Sequence, residues 1–248
     1  MPKPFTVTKE IVAPIPAEDV WLALATGEGM DGWFLGTGNE IEARVGGRVH
    51  LDFGEGGAAE STVTEFEPLR RLAFGGEAAP DGSAHAFEYT LEARDGGTTW
   101  IRLVHSGFLP DEGWDAEYDA LDEGDFMYLH LLVSYAQWFL GRPAVNLSLF
   151  RPETGSRDEA MARFHEALGV GAAPRADEPA TIDLDGQRME GVVDFVSPSI
   201  VGVRTPDALL RFLWSPQGVV FAGHHLYGDV DKAAATDAWR AWLERTFA

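Results

Sequence analysis

The sequence predicts an α+β protein built as two successive units, the second smaller than the first. Three observations predict it. Residues 41–105 alternate apolar and polar side chains in short runs separated by Gly, Pro or Asp, the pattern of antiparallel strands with two unlike faces. Residues 124–140 then read as one helix, apolar almost all round, closed by Gly141 and Pro143. After residue 142 a strand, a proline, an acid pair and a helix follow in the order that opened the chain. Strands in succession with helices gathered to one face define the class. A helix with no wet face needs cover on both sides. The sheet before it supplies one cover, and the second unit is expected to supply the other.

Composition bounds the partners. The chain has 248 residues, 45% of them hydrophobic, enough for a substantial core in one large domain or two small ones. The formal net charge is −21, with 25 acids and 9 bases in residues 1–142 and 15 acids and 10 bases in 143–248. Such a surface repels phosphate backbones and anionic lipid, so neither nucleic acid nor membrane is expected as a partner. No cysteine is present, which removes disulfides, thiolate chemistry and cysteine-ligated zinc. The opening MPKPFTVTKEIVAP lacks a charged start followed by an apolar run, and no run of ~20 apolar residues could span a bilayer. A cytoplasmic location is the expectation.

Taken in order, residues 5–12 alternate as a strand that Pro14 and Pro16 end. Glu18 and Asp19 open a helix carrying Val20, Trp21 and Leu24, as the helix dipole favours. Glycines 27, 29 and 32 break it, and Trp33, Phe34 and Leu35 follow in a loop. Strands are expected at 41–45, 48–53, 61–66, 70–74, 85–93 and 98–105, with a bend at the Gly46-Gly47 pair. On these strands Val49, Leu51, Phe53, Phe87, Tyr89, Leu91, Ile101 and Leu103 fall on the face that should meet the long helix. Between the last strand and the helix, residues 111–125 carry eight acids and no base, and are expected to form a solvated lid or rim.

The ordered segments KEIVAPIPAEDVWLAL, DGWF, GGRV, TVTEFEPLRRLAF and GGTTWIRLVHSGF resemble the START-like (SRPBCC) superfamily. More narrowly they are similar to the branch named after the activator of the heat-shock chaperone ATPase. The resemblance covers roughly residues 5–141. It implies a helix-grip fold, a curved antiparallel sheet around a long C-terminal helix with an apolar cavity between them. The acidic stretch at 111–125 departs from that family pattern, and so does the chain after residue 142.

That remainder reads as a reduced second copy. Residues 144–149 form a strand ahead of Pro152, and Asp158-Glu159 open a helix carrying Met161, Phe164 and Leu168. GVVDFVSPSIVGV echoes TVTEFEPLRRLAF, with Pro198 where Pro68 stands. FAGHHLYG and the helix after it echo LVHSGF and its helix. The copy is shorter by roughly a strand pair, and the alternative is an unrelated α+β extension. Domains are therefore expected at 1–142 and 143–248, with residues 169–181 a loop inside the second.

Chemistry-bearing residues are sparse. His105 on an inward strand and His130 mid-helix could present ring nitrogens to one cavity, for orientation or acid–base work. The alternative is that each is a buried histidine satisfied locally. His224 and His225 are adjacent on a strand, point to opposite faces and cannot chelate together. Glu65, if inward, would be a carboxylate of raised pKa; if outward, merely solvated. No phosphate loop, zinc-protease string or nucleophile elbow is present. No cofactor or metal is expected. The residues expected to line a ligand cavity are Trp33, Phe53, Phe87, Tyr89, Leu103, His105, Phe126, His130 and Tyr135. The expected function is noncovalent binding of a small apolar or aromatic molecule. The resemblance also implies two others: a cyclase or aromatase using cavity His or Glu as acid and base, and a chaperone-regulating module. The module ranks last, since the resemblance reaches only the activator's C-terminal domain.

Overall fold

The computed structural model describes residues 2–54, 57–111, 113–152 and 155–248. Glu55 and Gly56 of the GEGG run and Glu112 of the acidic stretch lie outside the described residues. The chain divides into two compact units, Met1–Arg142 and Pro143–Ala248. No helix among the described residues is long and apolar enough to cross a membrane.

The first unit runs β1 (Lys3–Ala13), α1 (Ala17–Leu24), α2 (Gly27–Asp31), β2 (Glu40–Ile41), β3 (Arg48–Asp52), β4 (Ala58–Glu67), β5 (Arg71–Gly75), β6 (Ala84–Arg94), β7 (Thr98–Leu109) and α3 (Trp114–Trp138). Its seven strands lie in the order β1-β7-β6-β5-β4-β3-β2, so the first strand is sewn to the last and the others form a meander. β1 and β7 pair from Lys3–Leu109 to Ala13–Thr99 without a slip. The Thr99 hydroxyl donates to the Ile15 carbonyl at 2.8 Å, fixing the proline turn that ends β1. α3 packs on β1, β7 and α1. Val49, Leu51, Tyr89, Leu91, Ile101 and Leu103 are buried beneath the helical layer, the face that the alternation marks as apolar.

Three local expectations are corrected. The strand expected at 41–45 shrinks to Glu40–Ile41, because Gly46 takes a left-handed φ of 75° and turns the chain. Glycines 27 and 29 do not simply break the first helix. They belong to α2, whose N-terminus is capped by the Thr26 hydroxyl accepting from Gly29 N–H at 3.0 Å. The acidic stretch is largely solvated but helical: α3 begins at Trp114, ten residues before the expected start at 124. Asp115 and Glu117 sit in its first turn, where the dipole favours negative charge. Trp114, Tyr118 and Leu121 turn inward onto Phe5, Val7 and Leu109.

The second unit runs β8 (Ala144–Pro152), α4 (Arg157–Ala167), β9 (Pro179–Leu184), β10 (Gln187–Val196), β11 (Ile200–Thr205), β12 (Ala208–Ser215), β13 (Val219–Tyr227) and α5 (Lys232–Thr246). Its sheet order, β8-β13-β12-β11-β10-β9, reproduces the first unit's order. It is shorter by one strand rather than a pair: the counterpart of the two-residue β2 is missing. The match extends to an irregularity. β4 slips against β5 between Val63 and Glu65, and β10 slips against β11 between Val193 and Phe195. Each bulge stands five residues before its turn proline, Pro68 or Pro198. Each is clasped identically. Gly46 N–H donates to the Val63 carbonyl and Val63 N–H to the Gly47 carbonyl, at 2.8 and 2.9 Å. Asp177 N–H donates to the Val193 carbonyl and Val193 N–H to the Glu178 carbonyl, both at 2.8 Å. Asp177 adopts φ 65° where the first unit places Gly46 at 75°. This shared defect carries the repeat, because element order alone recurs in unrelated folds.

The core of the second unit gathers Phe164, Phe212, Trp239, Trp242 and Phe247 with strand aliphatics around His224. His224 and His225 are both buried, and among the described residues no group of three or more His, Asp or Glu could hold a metal. His224 lies against the Trp239 ring at 4.1 Å, and burial pushes its pKa down to about 3.

Two predictions follow from this packing. A Cβ on Gly46 would meet nothing within 4 Å, so Gly46→Ala isolates the left-handed backbone cost. It should lower stability by about 1–2 kcal/mol in urea unfolding, and an unchanged midpoint would remove the reason for the glycine. His224 takes up its proton near pH 6.5 when unfolded but only near 3 when folded. Its contribution is therefore full above pH 6.5 and fades as pH falls toward 3, by on the order of 5 kcal/mol in all. His224→Leu should reduce the stability lost between pH 7 and pH 4; equal losses in both proteins would contradict this.

Candidate functional site

The inward stripe of α3 is read at helical spacing: Trp114, Tyr118, Leu121, Asp125, Tyr128, Leu132, Tyr135. One member is a carboxylate. Asp125 is buried, and its two oxygens lie 2.9 and 3.1 Å from Nδ1 of His105 on β7, which is equally buried. His105 Nε2 lies 2.9 Å from Nδ1 of His85 on β6. Three titratable groups from three elements thus form one hydrogen-bonded line, Asp125–His105–His85.

Donor and acceptor roles follow from chemistry. A carboxylate only accepts, so His105 carries its proton on Nδ1 and donates to Asp125. With both rings neutral, His105 Nε2 is an acceptor, and His85 Nδ1–H donates to it. The remaining lone pair of the line is then on His85 Nε2, which makes no hydrogen bond among the described residues. His85 is only half-buried, whereas the two groups behind it are enclosed. Its pKa is lowered by desolvation first and by His105 second, with Asp125 and Asp81 acting in the opposite sense. The outer ring therefore stands unprotonated and available as a base at neutral pH.

Aromatic rings fix this line. Phe87 stacks on His105 with centroids 4.1 Å apart, and Phe5 meets the same ring edge-on at 5.0 Å. Phe5 also touches His85 at 5.6 Å. Gly107, opposite His85 in the β6–β7 ladder, leaves no room for a side chain: a Cβ there would collide with the Ala84 carbonyl and press on Phe5. Farther along α3, Phe34 contacts Phe53 at 5.2 Å and Tyr128 at 5.4 Å. Tyr89 and Tyr128 both have raised pKa values, from burial first and then from the charge of Asp125, so both phenols keep their protons. Phe34, Phe53, Phe87 and Tyr128 remain partly accessible.

The residues expected to line a cavity divide accordingly. His105, Phe87 and Tyr89 come together at the line, and Phe53 joins the Phe34–Tyr128 group. Leu103 is buried beside them on β7. Trp33 is wholly buried and donates Nε1–H to the Ala23 carbonyl at 2.9 Å, a core role. Tyr135 is likewise core: its hydroxyl accepts from Gly141 N–H at 3.2 Å, and its ring fills the space a Cβ on Gly32 would occupy. Two of the expected residues lie apart from this group. Phe126 is exposed, one residue off the inward stripe, with Lys9 Nζ 5.8 Å from its ring centroid. His130 follows Asp125 by five residues, about 140° round the helix, and its Nδ1 lies 3.3 Å from the Ser134 hydroxyl. Glu65 points outward and pairs with Arg71 at 3.1 Å.

Asp125 and His85 are absent from the expected set, though both left a signal. His85 shares the strand parity of Phe87, Tyr89 and Leu91, and so faces inward with them. Asp125 holds a core position in the stripe once the helix starts at Trp114.

The sequence pattern of the family described as activator of Hsp90 ATPase homolog 1-like protein matches residues 14–137. The chain belongs to this family. The match spans α1 through α3, and therefore includes His85, His105 and Asp125. No curated protein matches the chain. Among solved structures, a protein from Mesorhizobium loti is 25% identical over 52% of this chain and 95% of its own, with a TM-score of 0.46. DynU16, a protein in the dynemicin biosynthetic locus, is 19% identical over 98% of this chain and 95% of its own, with a TM-score of 0.47. BexL, a di-domain ARO/CYC from the BE-7585A biosynthetic pathway, is 15% identical over 97% of this chain and 94% of its own, with a TM-score of 0.46.

Replacing Asp125 by Ala leaves the buried Nδ1–H of His105 without its acceptor and should cost about 2–4 kcal/mol. Asp125→Asn keeps an acceptor oxygen and should cost less. Urea unfolding of both variants separates the outcomes, and equal midpoints would mean that the hydrogen bond does not stabilise the unit.

Proposed function

We propose that the first unit binds a small apolar or aromatic molecule, noncovalently, between its sheet and α3. The observation that carries this reading is the partial accessibility of Phe34, Phe53, Phe87 and Tyr128, rings that contact one another or the buried His105. Large rings on the core side of a sheet are ordinarily sealed by packing, and rings left open there describe space for a guest. The same region holds His85, whose outer nitrogen has no hydrogen bond among the described residues and can orient a polar group of that guest. Apolar walls with one or two directed polar groups are the usual make-up of a small-molecule site. Membership of the family fits a fold that wraps a sheet around a helix, but does not by itself supply the guest. The net charge of −21 favours neutral or cationic guests over anionic ones at long range.

The test uses N-phenyl-1-naphthylamine, a neutral fluorescent aromatic amine, titrated into the full chain. Binding should be saturable, and Phe87→Ala or Phe34→Ala should weaken it roughly tenfold, as expected for loss of one ring contact surface. Phe126→Ala should leave it unchanged, because that ring is exposed. Native mass spectrometry of freshly purified protein should show a co-purifying small molecule. Absence of both probe binding and a co-purified guest would end the binding reading.

A further inference from the structure

A binding site needs one polar group to orient its guest. This one has three in line, and the inner two cannot touch a guest because they are enclosed. A buried carboxylate behind a buried imidazole has a defined chemical effect on a third group: it stabilises positive charge arriving from outside. When His85 Nε2 takes a proton, the ring becomes a cation whose Nδ1–H already points at His105 Nε2, 2.9 Å away. Shifting that proton inward places the charge on His105, against the Asp125 oxygens at 2.9 and 3.1 Å. Neither shift requires a ring to move.

We propose that the first unit is an acid–base catalyst in which His85 Nε2 removes a proton from the carbon beside a carbonyl of an apolar, aromatic-bodied ketone, with His105 and Asp125 as positioning residues. The inference rests on the ligand-binding reading and adds a reaction to it. The C–H bond breaks, its electron pair forms a carbon–carbon double bond, and the carbonyl π pair moves to oxygen to give an enolate. The proton resides on His85 and returns to the same carbon or to the far end of the enolate, so the net change is exchange or isomerisation. No oxidant, reductant or second substrate enters.

The substrate class follows from what surrounds the line. The hydrogen-bonded line from His85 to Asp125 is arranged to take up and hold a proton, and it contains no thiol or hydroxyl for its histidines to activate. The walls are rings, suited to an aromatic body. Tyr89 and Tyr128, whose phenols stay protonated, are hydrogen-bond donors of the kind that stabilise an enolate oxygen. A neutral base of lowered pKa is matched to work near neutral pH. Asp81, whose charge also reaches His85, is held by the Ser83 hydroxyl at 2.7 Å and its backbone N–H at 2.9 Å.

The experiment follows deuterium uptake at the α-carbons of 2-tetralone by NMR in deuterated buffer, alongside tetralone binding to the same samples. Wild-type protein should accelerate exchange by roughly a hundredfold or more over buffer. His85→Gln should return the rate to the buffer level while tetralone affinity stays within about tenfold of wild type. His85→Asn serves the same purpose should the longer side chain disturb the strand. Asp125→Asn should slow exchange about tenfold and move the midpoint of the rate–pH profile to lower pH, because the charge that stabilises protonated histidine is gone. A merely structural Asp125 would lower the rate without moving the midpoint, and would remove its assigned role. Tetralone binding with exchange at the buffer rate would overturn the catalytic proposal and leave the binding reading standing. No tetralone binding would overturn the catalytic proposal, and would end the binding reading too only if the naphthylamine probe also failed to bind and no guest co-purified. Acceleration that survives in both His85 variants would show that another group is the base.

Discussion

The first unit depends on the contact between His105 and Asp125. A carboxylate and an imidazole buried between a sheet and a helix each lose hydration worth several kcal/mol, and recover it only in good mutual geometry. Oxygens at 2.9 and 3.1 Å from one ring nitrogen meet that demand, and the demand then fixes other things. Turning α3 by one residue, or sliding it a turn along β7, would strand both groups. The pair therefore specifies how the helix sits on the sheet, which apolar side chains alone define only loosely. Phe87 and Phe5 clamp the ring from two directions and exclude water from the bond.

Most of the frame was legible in the sequence because it rests on local rules. Alternation at 85–93 and 98–105 marks the inward face, and prolines 14, 16, 68 and 198 mark strand ends in both units. The candidate site was half legible. His105, Phe87 and Tyr89 stand out as inward residues on clear strands. Asp125 did not, because eight acids in fifteen positions read as solvated chain, and Gly124 looked like a boundary. What settles it is that the helix tolerates its acids on the outer face while Trp114, Tyr118 and Leu121 supply an inner one. His85 went unnoticed for a different reason: its importance lies in a contact with a residue twenty positions away, which strand parity permits but does not announce.

The second unit shows which parts of this architecture are frame. It keeps the strand order, the turn proline, the bulge five residues before it and the paired hydrogen bonds that clasp that bulge. It also keeps a buried histidine on the last strand, facing the closing helix. There the helix offers the Trp239 ring, and the imidazole is held neutral by burial. The left-handed residue at the clasp is Asp177 instead of glycine, a substitution that residue type tolerates better than most.

The two histidines differ both in their neighbours on the sheet and in what the helix brings to them. In one unit the partner is an acid, and the imidazole bridges it to a second imidazole. In the other it is an indole, and the imidazole becomes filler, a polar ring serving as a hydrophobic one. Duplication of such a frame leaves each copy free to lose what the other retains. Beside that histidine the closing helix brings an acid in one copy and an indole in the other, without any change to strand order, clasp or bulge.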